Sequence, residues 1–72
     1  MSAMTKRELE EHLYKEPFEP FRVNLADGSH YDIENPRLAV PMDTRMFLAM
    51  PSNGWTFIVL RQVTNIESLQ AA

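Results

Sequence analysis

The stretch that decides the fold is FRVNLADGSHYDI, residues 21–33. Apolar and polar residues alternate on both sides of its Asp-Gly dipeptide, which is the pattern of two strands that each bury one face. A two-residue turn at that dipeptide would pair Val23 with Asp32 and mix apolar and polar side chains on each face. A three-residue loop, which also takes in the preceding alanine, pairs Val23 with Tyr31 and gathers the apolar side chains on one face. We therefore predict a three-residue hairpin loop in which Gly28 has a positive φ.

A short helix is predicted within residues 1–16. Thr5 and Glu8 form the T-x-x-E capping box, in which each side chain accepts a hydrogen bond from the other residue's backbone N–H. Leu9 and Leu13 lie one turn apart and give the helix its single apolar stripe. A stripe this narrow predicts a helix that lies on another surface rather than in a helical bundle.

Residues 17–21, PFEPF, form a strap between the helix and the first strand. We expect its two rings, Phe18 and Phe21, to close one end of the core against the helix leucines. The alternative is a proline-rich ligand for a partner of the SH3 or WW type, but such ligands work in disordered segments and this one is flanked by structure.

The sheet is predicted to occupy residues 21–69. Pro36 interrupts the second strand, which can continue around a bend at Leu38–Val40. Further apolar runs cover residues 46–50, 55–60 and 63–69, with a 3₁₀ turn expected near Gln62. These segments predict one α+β domain that is mainly β, in which a strongly bent five-stranded antiparallel sheet or small open barrel follows the helix. Residues 70–72 should form a frayed tail.

Composition narrows the classes of function. The chain has 72 residues, no cysteine, 7 basic and 10 acidic residues and a net charge of −3, so no broad positive field draws it to nucleic acid or to anionic membranes. No apolar run approaches membrane-spanning length, and the first residues lack the apolar core of a signal peptide. We therefore expect a cytoplasmic protein without a membrane partner.

No catalytic or cofactor motif is present. The chain has no cysteine nucleophile, no G-x-S-x-G sequence and only two glycines, which excludes a glycine-rich phosphate loop. His12 and His30 are the only histidines, one on the helix and the other on a strand. No carboxylate shares helical spacing with a second histidine, so the count of metal ligands is too short. We expect a protein that is not an enzyme, with no catalytic residues, no cofactor and no metal site.

Two stretches carry a family resemblance. VNLADGSHYDI, residues 23–33, resembles the first-hairpin motif of Sm-like proteins of the Hfq type, and WTFIVLRQVTNIES, residues 55–68, is similar in layout to their last motif. The PFxPFRVxLxDG pattern also resembles a group of small bacterial proteins without an assigned function. The resemblance implies a small Sm-like or SH3-like barrel, a ring of copies and RNA binding.

The same resemblance implies where RNA would bind. Sm-like proteins of the Hfq type line a uridine pocket with Tyr-Lys-His, and the matching positions here are Leu60, Arg61 and Gln62. Arg45 follows the loop where Sm-like proteins carry an asparagine. The nucleic-acid candidates are therefore Arg45, Arg61 and Gln62. In the competing interpretation the aromatic side chains point inward and the arginines are scattered surface charges.

The strand at residues 55–60 is apolar on both faces, because Trp55, Phe57 and Val59 alternate with Ile58 and Leu60. A small chain cannot easily bury both faces of one strand, so we predict a subunit interface unless the helix covers the second face. Sm-like proteins pair this strand with the last one between neighbours. The interface candidates are Phe57, Ile58, Leu60, Val63 and Ile66.

Three functional hypotheses follow from the sequence. The first is a non-enzymatic, self-associating, Sm-like binding protein whose ligand is RNA. The second is a protein-interaction or structural subunit with no nucleic-acid role. The third is a barrel that binds a small ligand in a cavity lined by Tyr31, Trp55 and Phe57.

Overall fold

A computed structural model describes residues 4–50 and 54–69 of the chain. In this part of the chain, one helix and six strands form two three-stranded antiparallel sheets. The elements are α1 (Lys6–Leu13), β1 (Phe21–Leu25), β2 (His30–Ile33), β3 (Ala39–Pro41), β4 (Arg45–Met50), β5 (Gly54–Val59) and β6 (Val63–Ser68). The first sheet has the strand order β2-β1-β6 and the second has the order β3-β4-β5.

The α+β, mainly β class is confirmed, but the predicted count of five strands is wrong. The expected second strand is divided by a 3₁₀ turn at Pro36–Leu38, so its two parts, β2 and β3, belong to different sheets. Pro36 has no N–H that could donate to a neighbouring strand. The N–H of Arg37 donates to the side chain of Asn35 at 2.9 Å and so is also not used in a sheet. The bend is therefore a corner between two sheets, and the described strands do not close into a barrel.

The hairpin between β1 and β2 has the predicted register. Val23 lies opposite Tyr31, and Gly28 has a φ of 93°. The N–H of Leu25 donates to the carbonyl of Ser29 at 2.9 Å, and the N–H of Gly28 donates to the carbonyl of Leu25 at 3.0 Å. The three-residue loop is confirmed, and it allows β1 to present Val23 to the core.

The helix begins at the predicted capping box. The N–H of Glu8 donates to Thr5 Oγ1 at 3.1 Å, and the N–H of Thr5 donates to Glu8 Oε1 at 3.0 Å. The helix ends at Leu13, before Pro17, where the peptide bond is cis. Leu9 and Leu13 are both buried in the core, so the apolar stripe of α1 lies on the sheets as expected.

The strap places one ring in the core and one at its margin. Phe21 is 3% exposed, while Phe18 is half-buried with its ring centroid 6.1 Å from that of Phe21. The prediction of burial is confirmed for Phe21 and is only partly right for Phe18. The strap thus closes one end of the core.

The core lies between the two sheets and under the helix. It joins Val23 and Ile33 of the first sheet to Met46, Leu48 and Ile58 of the second. A second 3₁₀ turn, Leu60–Gln62, links β5 to β6 where the sequence predicts one. The predicted tail at 70–72 lies outside the described residues.

No helix among the described residues has the length and apolar character that crossing a bilayer requires.

Candidate functional site: an aromatic face on the second sheet

The second sheet has an apolar outer face. Side chains alternate along a strand, so the buried Met46, Leu48 and Ile58 direct their neighbours away from the core. The outward residues of the three strands are Val40, Arg45, Phe47, Ala49, Trp55, Phe57 and Val59. We call Phe47, Trp55 and Phe57, together with Arg45, the aromatic face.

Its rings lie on the surface. Trp55 is 61% exposed, Phe57 is 43% exposed and Phe47 is half-buried. The expectation that these aromatic residues point inward is therefore wrong for β5, because Ile58 and the following Leu60 fill the core instead. An exposed cluster of large apolar side chains is typical of a binding surface.

The three rings contact one another across two strands. The centroid of Phe47 lies 5.8 Å from that of Trp55 and 5.7 Å from that of Phe57, and Trp55 and Phe57 are 5.5 Å apart. Phe57 meets both neighbours in edge-to-face geometry. Such contacts fix the rings against one another, so the surface is partly ordered before anything binds.

One cation completes the face. The guanidinium carbon of Arg45 lies 5.1 Å from the ring centroid of Phe57, within the range of a cation–π contact. Among the described residues no carboxylate forms an ion pair with Arg45. The positive charge therefore remains available beside the rings.

The charges of the chain are divided between its two halves. Residues 36–62, which contain the second sheet, hold three arginines and one aspartate and have a net charge of +2. The remainder of the chain has a net charge of −5. The chain is acidic overall, with a net charge of −3, but the segment that contains the aromatic face is basic.

The four sheet edges differ in how well they are protected. At one end of each sheet, β2 has four residues with the ion-paired Asp32, and β3 has three residues that end at Pro41. At the other ends, β5 and β6 have six residues each, with no proline or lysine and with Glu67 as their only charge. Short length, charge and proline are usual protections of an edge, and by these measures β5 and β6 are the less protected ones. Met4, Glu8 and His12 line a groove together with residues 63–66, so the helix lies near β6.

The nucleic-acid candidates lie at one end of β5. Arg45 is opposite Val59, the last residue of β5, and Arg61 and Gln62 follow in the second 3₁₀ turn. Both side chains in the turn are exposed, and the backbone carbonyl of Gln62 accepts the N–H of Ala26 at 2.8 Å. The structure therefore brings Arg45 and Arg61 to the same end of the second sheet.

The interface candidates are divided between core and surface. Ile58, Leu60 and Val63 are buried within their own chain, so their side chains cannot supply the predicted contact without unfolding it. Ile66 is half-buried, and Phe57 is on the surface. An interface at these strands would therefore use backbone edges and outward side chains.

The predicted ligand cavity is wrong. Tyr31 packs against the core from the first sheet, whereas Trp55 and Phe57 are on the outer face of the second sheet. The three side chains therefore lie on opposite sides of a sheet and cannot line one cavity.

No candidate metal centre is found among residues 4–50 and 54–69, where no three histidine, aspartate or glutamate side chains come together. The ring of His12 packs 5.2 Å from that of Phe21, and His30 is exposed on β2.

Comparisons of the chain with protein-family models, with curated proteins and with solved structures give no match. Phe47 is absent from the candidate residues that the sequence suggested, and Trp55 was among them only as a residue of the predicted ligand cavity. The signal that could have placed Trp55 on a binding surface is the run at residues 55–60, which is too apolar for a strand with one face in water.

Proposed function

We propose that this protein is a non-enzymatic, self-associating binding module in which β5 of one copy pairs with β6 of the next. The observation that carries the proposal is the contrast among the four edges. β5 and β6 are longer and carry neither proline nor lysine, while β2 and β3 are short and carry Asp32 and Pro41. This arrangement is the one that the Sm-like resemblance implies, and a cytoplasmic location stays a prediction from the sequence.

Charge supports a head-to-tail arrangement. β5 belongs to the half of the chain with a net charge of +2, and β6 belongs to the half with −5. The two strands themselves carry only Glu67, so the support comes from the opposite net charges of the two parts of the chain that the pairing brings together. Head-to-tail contacts close into a ring when the rotation between copies permits and otherwise form a filament.

Chain length gives a second reason for association. A chain of 72 residues without cysteine has neither a large core nor disulfides for stability. Strand pairing between copies would extend both sheets and satisfy backbone groups at the edges of β5 and β6.

The molar mass in solution is the first test. We expect light scattering at micromolar concentration to give a multiple of 8.4 kDa. The mass should fall as salt rises, because the pairing brings together parts of the chain with opposite net charge. A monomer throughout the micromolar range would overturn the proposal.

Cysteine cross-linking tests which edges meet, and the chain provides a cysteine-free background. One protein carries Val59→Cys on β5, and a second, tagged protein carries Asn65→Cys on β6; both residues are exposed on the outer faces of their sheets. Cysteines placed instead at Phe57 on β5 and Glu67 on β6 test the alternative strand register. We expect rapid formation of the mixed disulfide and only slow reaction of a Tyr14→Cys control on the exposed C-terminal cap of the helix.

Each outcome decides a point. A disulfide between two copies of Val59→Cys would show that like edges meet and would contradict the head-to-tail arrangement. Reaction no faster than that of the control would exclude strand pairing. Ile58→Lys is unsuitable as a test, because Ile58 is 2% exposed and the lysine would unfold the core.

A second candidate function is a protein-interaction or structural subunit with no nucleic-acid role. Val40 and Val59, exposed beside the rings, favour it, since aliphatic side chains suit a protein partner better than a nucleobase. Oligonucleotide binding at the aromatic face separates this candidate from the RNA-binding one.

A further inference from the structure

We propose that the aromatic face is a stacking site for single-stranded nucleic acid. The proposal rests on the proposed function of a binding module and assigns that module a ligand class and a site. The site consists of Phe47, Trp55 and Phe57 with Arg45 beside them. It lies on the outer face of the second sheet and not in the 3₁₀ turn at residues 60–62, where the Sm-like resemblance implied it.

The rings supply what unpaired bases need. Every nucleobase has a flat π-face, so exposed aromatic side chains on a sheet can stack bases with little preference for sequence. Trp55 is 61% exposed and Phe57 is 43% exposed, and their centroids lie 5.5 Å apart. Trp55 can therefore stack a base, and Phe57 can stack a second base when the guanidinium above its ring turns to a phosphate.

Arg45 supplies the charge that the phosphates need. It lies over Phe57 with no ion-pair partner among the described residues, and no carboxylate belongs to the outer face. The surrounding half of the chain has a net charge of +2. Phosphate charge would be attracted to this half and repelled by the acidic half, which restricts binding to one side of the molecule.

One ligand class accounts for both features. An apolar partner surface would cover the rings but would leave the guanidinium of Arg45 desolvated without a counter-charge. A duplex would meet the arginine but hides its bases in the helical stack. Single-stranded nucleic acid brings a flat ring and a phosphate together in every nucleotide.

Self-association would multiply the effect. Copies joined through β5 and β6 leave the outer face of each second sheet uncovered, so one strand can contact several copies. Linked sites bind with higher avidity when the ligand spans them, so affinity should rise with oligonucleotide length.

The chain contains its own probe, because Trp55 is its only tryptophan. Stacking of a base on the indole should quench its fluorescence. The probes are an oligouridine and an oligodeoxythymidine of about 12 nucleotides, a length within the range of single-strand binding sites. A duplex of the same length is the control. We expect quenching by both single strands and little by the duplex, whereas no quenching by any probe would overturn the proposal.

A matched pair of variants separates stacking from simple apolar contact. Phe57→Tyr keeps the ring and should retain affinity within a few-fold, while Phe57→Leu keeps the apolar side chain and should lose roughly tenfold or more. Tyr14→Leu removes an exposed aromatic residue away from the sheets and should have no effect. Equal affinity of the tyrosine and leucine variants would contradict stacking and indicate an apolar protein-binding surface.

Salt dependence tests the role of the arginine. Arg45→Gln should lower the slope of log affinity against log salt by about 0.7, the value for one phosphate contact with a single strand. Arg7→Gln, an exposed arginine on the helix, is the control and should leave the slope unchanged. An unchanged slope in Arg45→Gln would contradict the assigned phosphate contact.

The two proposals fail separately. If the protein is a monomer but the single strands quench Trp55, the stacking site stands and strand pairing between copies is excluded. If the protein forms the cross-linked assembly without any quenching, the assembly stands and the stacking site is excluded.

Discussion

The two sheets have the same strand number and share one core, but their outer faces are opposites. On the first sheet, Arg22 Nε donates to Asp32 Oδ1 at 2.7 Å, and Asn24 Nδ2 donates to Glu67 Oε1 at 3.0 Å. These pairs join neighbouring strands and suit a surface in water. On the second sheet, the equivalent surface holds three aromatic rings, one arginine and the aliphatic side chains of Val40, Ala49 and Val59.

The difference supports the proposed binding surface. A polar outer face linked by cross-strand pairs suits water without a partner. An apolar outer face leaves Trp55 and Phe57 in contact with water although this contributes nothing to folding of the single chain. We therefore assign the proposed binding surface to the second sheet and the scaffold to the first sheet and the helix.

The sharpest test of this division compares two phenylalanines. Phe21 is 3% exposed beneath the strap, and Phe57 is 43% exposed on the aromatic face. Phe21→Ala should lower the free energy of unfolding by about 3–5 kcal/mol, because it empties a filled core position. Phe57→Ala should change it by less than about 1 kcal/mol while weakening ligand binding. Urea unfolding, measured at one protein concentration for all variants, gives both values.

A comparable loss of stability in the two variants would break the division between scaffold and binding surface. It would mean that Phe57 is covered, either by a second copy or by packing that the monomer does not show. Repeating the measurement at several protein concentrations separates these explanations, because stability that comes from association depends on concentration.

The hairpin glycines provide a second comparison, with a smaller expected effect. Gly28 precedes β2 in the first sheet and Gly54 begins β5 in the second, with φ values of 93° and 84°. A Cβ at either position meets no atom within 4 Å, so only the backbone conformation opposes a side chain. Gly28→Val and Gly54→Val should each cost about 1 kcal/mol or more in free energy of unfolding.

Asparagine gives the matched control, since it tolerates positive φ better than other residues that have a Cβ. Gly28→Asn and Gly54→Asn should recover much of the loss in thermal unfolding experiments. If either valine variant is as stable as the parent, that hairpin adopts another turn in solution and its strand register must be reassigned.

The sequence predicts the first sheet better than the second, and the reason is physical. In β1 and β2 apolar and polar residues alternate, so only one register gathers Val23 and Tyr31 on the buried face. In β5 nearly every residue is apolar, and alternation then cannot tell the inner face from the outer one. Burial of Ile58 instead of Phe57 is decided by the helix and the first sheet, which are distant in sequence.

The strand count fails for a related reason. Pro36 indicates a break in the predicted second strand. Whether the chain continues in the same sheet or in another depends on the position of β4, with which β3 pairs. The binding surface itself could be suspected from the sequence as an excess of apolar residues. Its composition could not, because Phe47 joins Trp55 and Phe57 only after β4 pairs with β5.

The smallest predicted effect concerns pH and belongs to the first sheet. The hydrogen bond that Arg22 donates to Asp32 lowers the pKa of that carboxyl group. Hydrogen bonds from Ser29 lower the pKa of Asp27 in the hairpin loop. Both pKa values are lower in the folded chain than the ordinary 3.8. The folded state therefore binds fewer protons than the unfolded state in acid, and this contribution, complete above about pH 5, is lost as pH falls through the lowered pKa values.

Urea unfolding between pH 6 and pH 2, at constant ionic strength, measures this contribution. Asp32→Asn and Asp27→Asn should each flatten the decline of stability in acid, and added salt should reduce the Asp32 effect because the Arg22–Asp32 pair is partly exposed. Asp43→Asn, which removes the only carboxylate of residues 36–62, is the control for the second half of the chain. If Asp43→Asn flattens the acid decline more than Asp32→Asn does, the electrostatic stabilisation is not concentrated in the first sheet. The polar outer face would then contribute solubility without contributing stability, and the contrast between the two sheets would be one of surface chemistry alone.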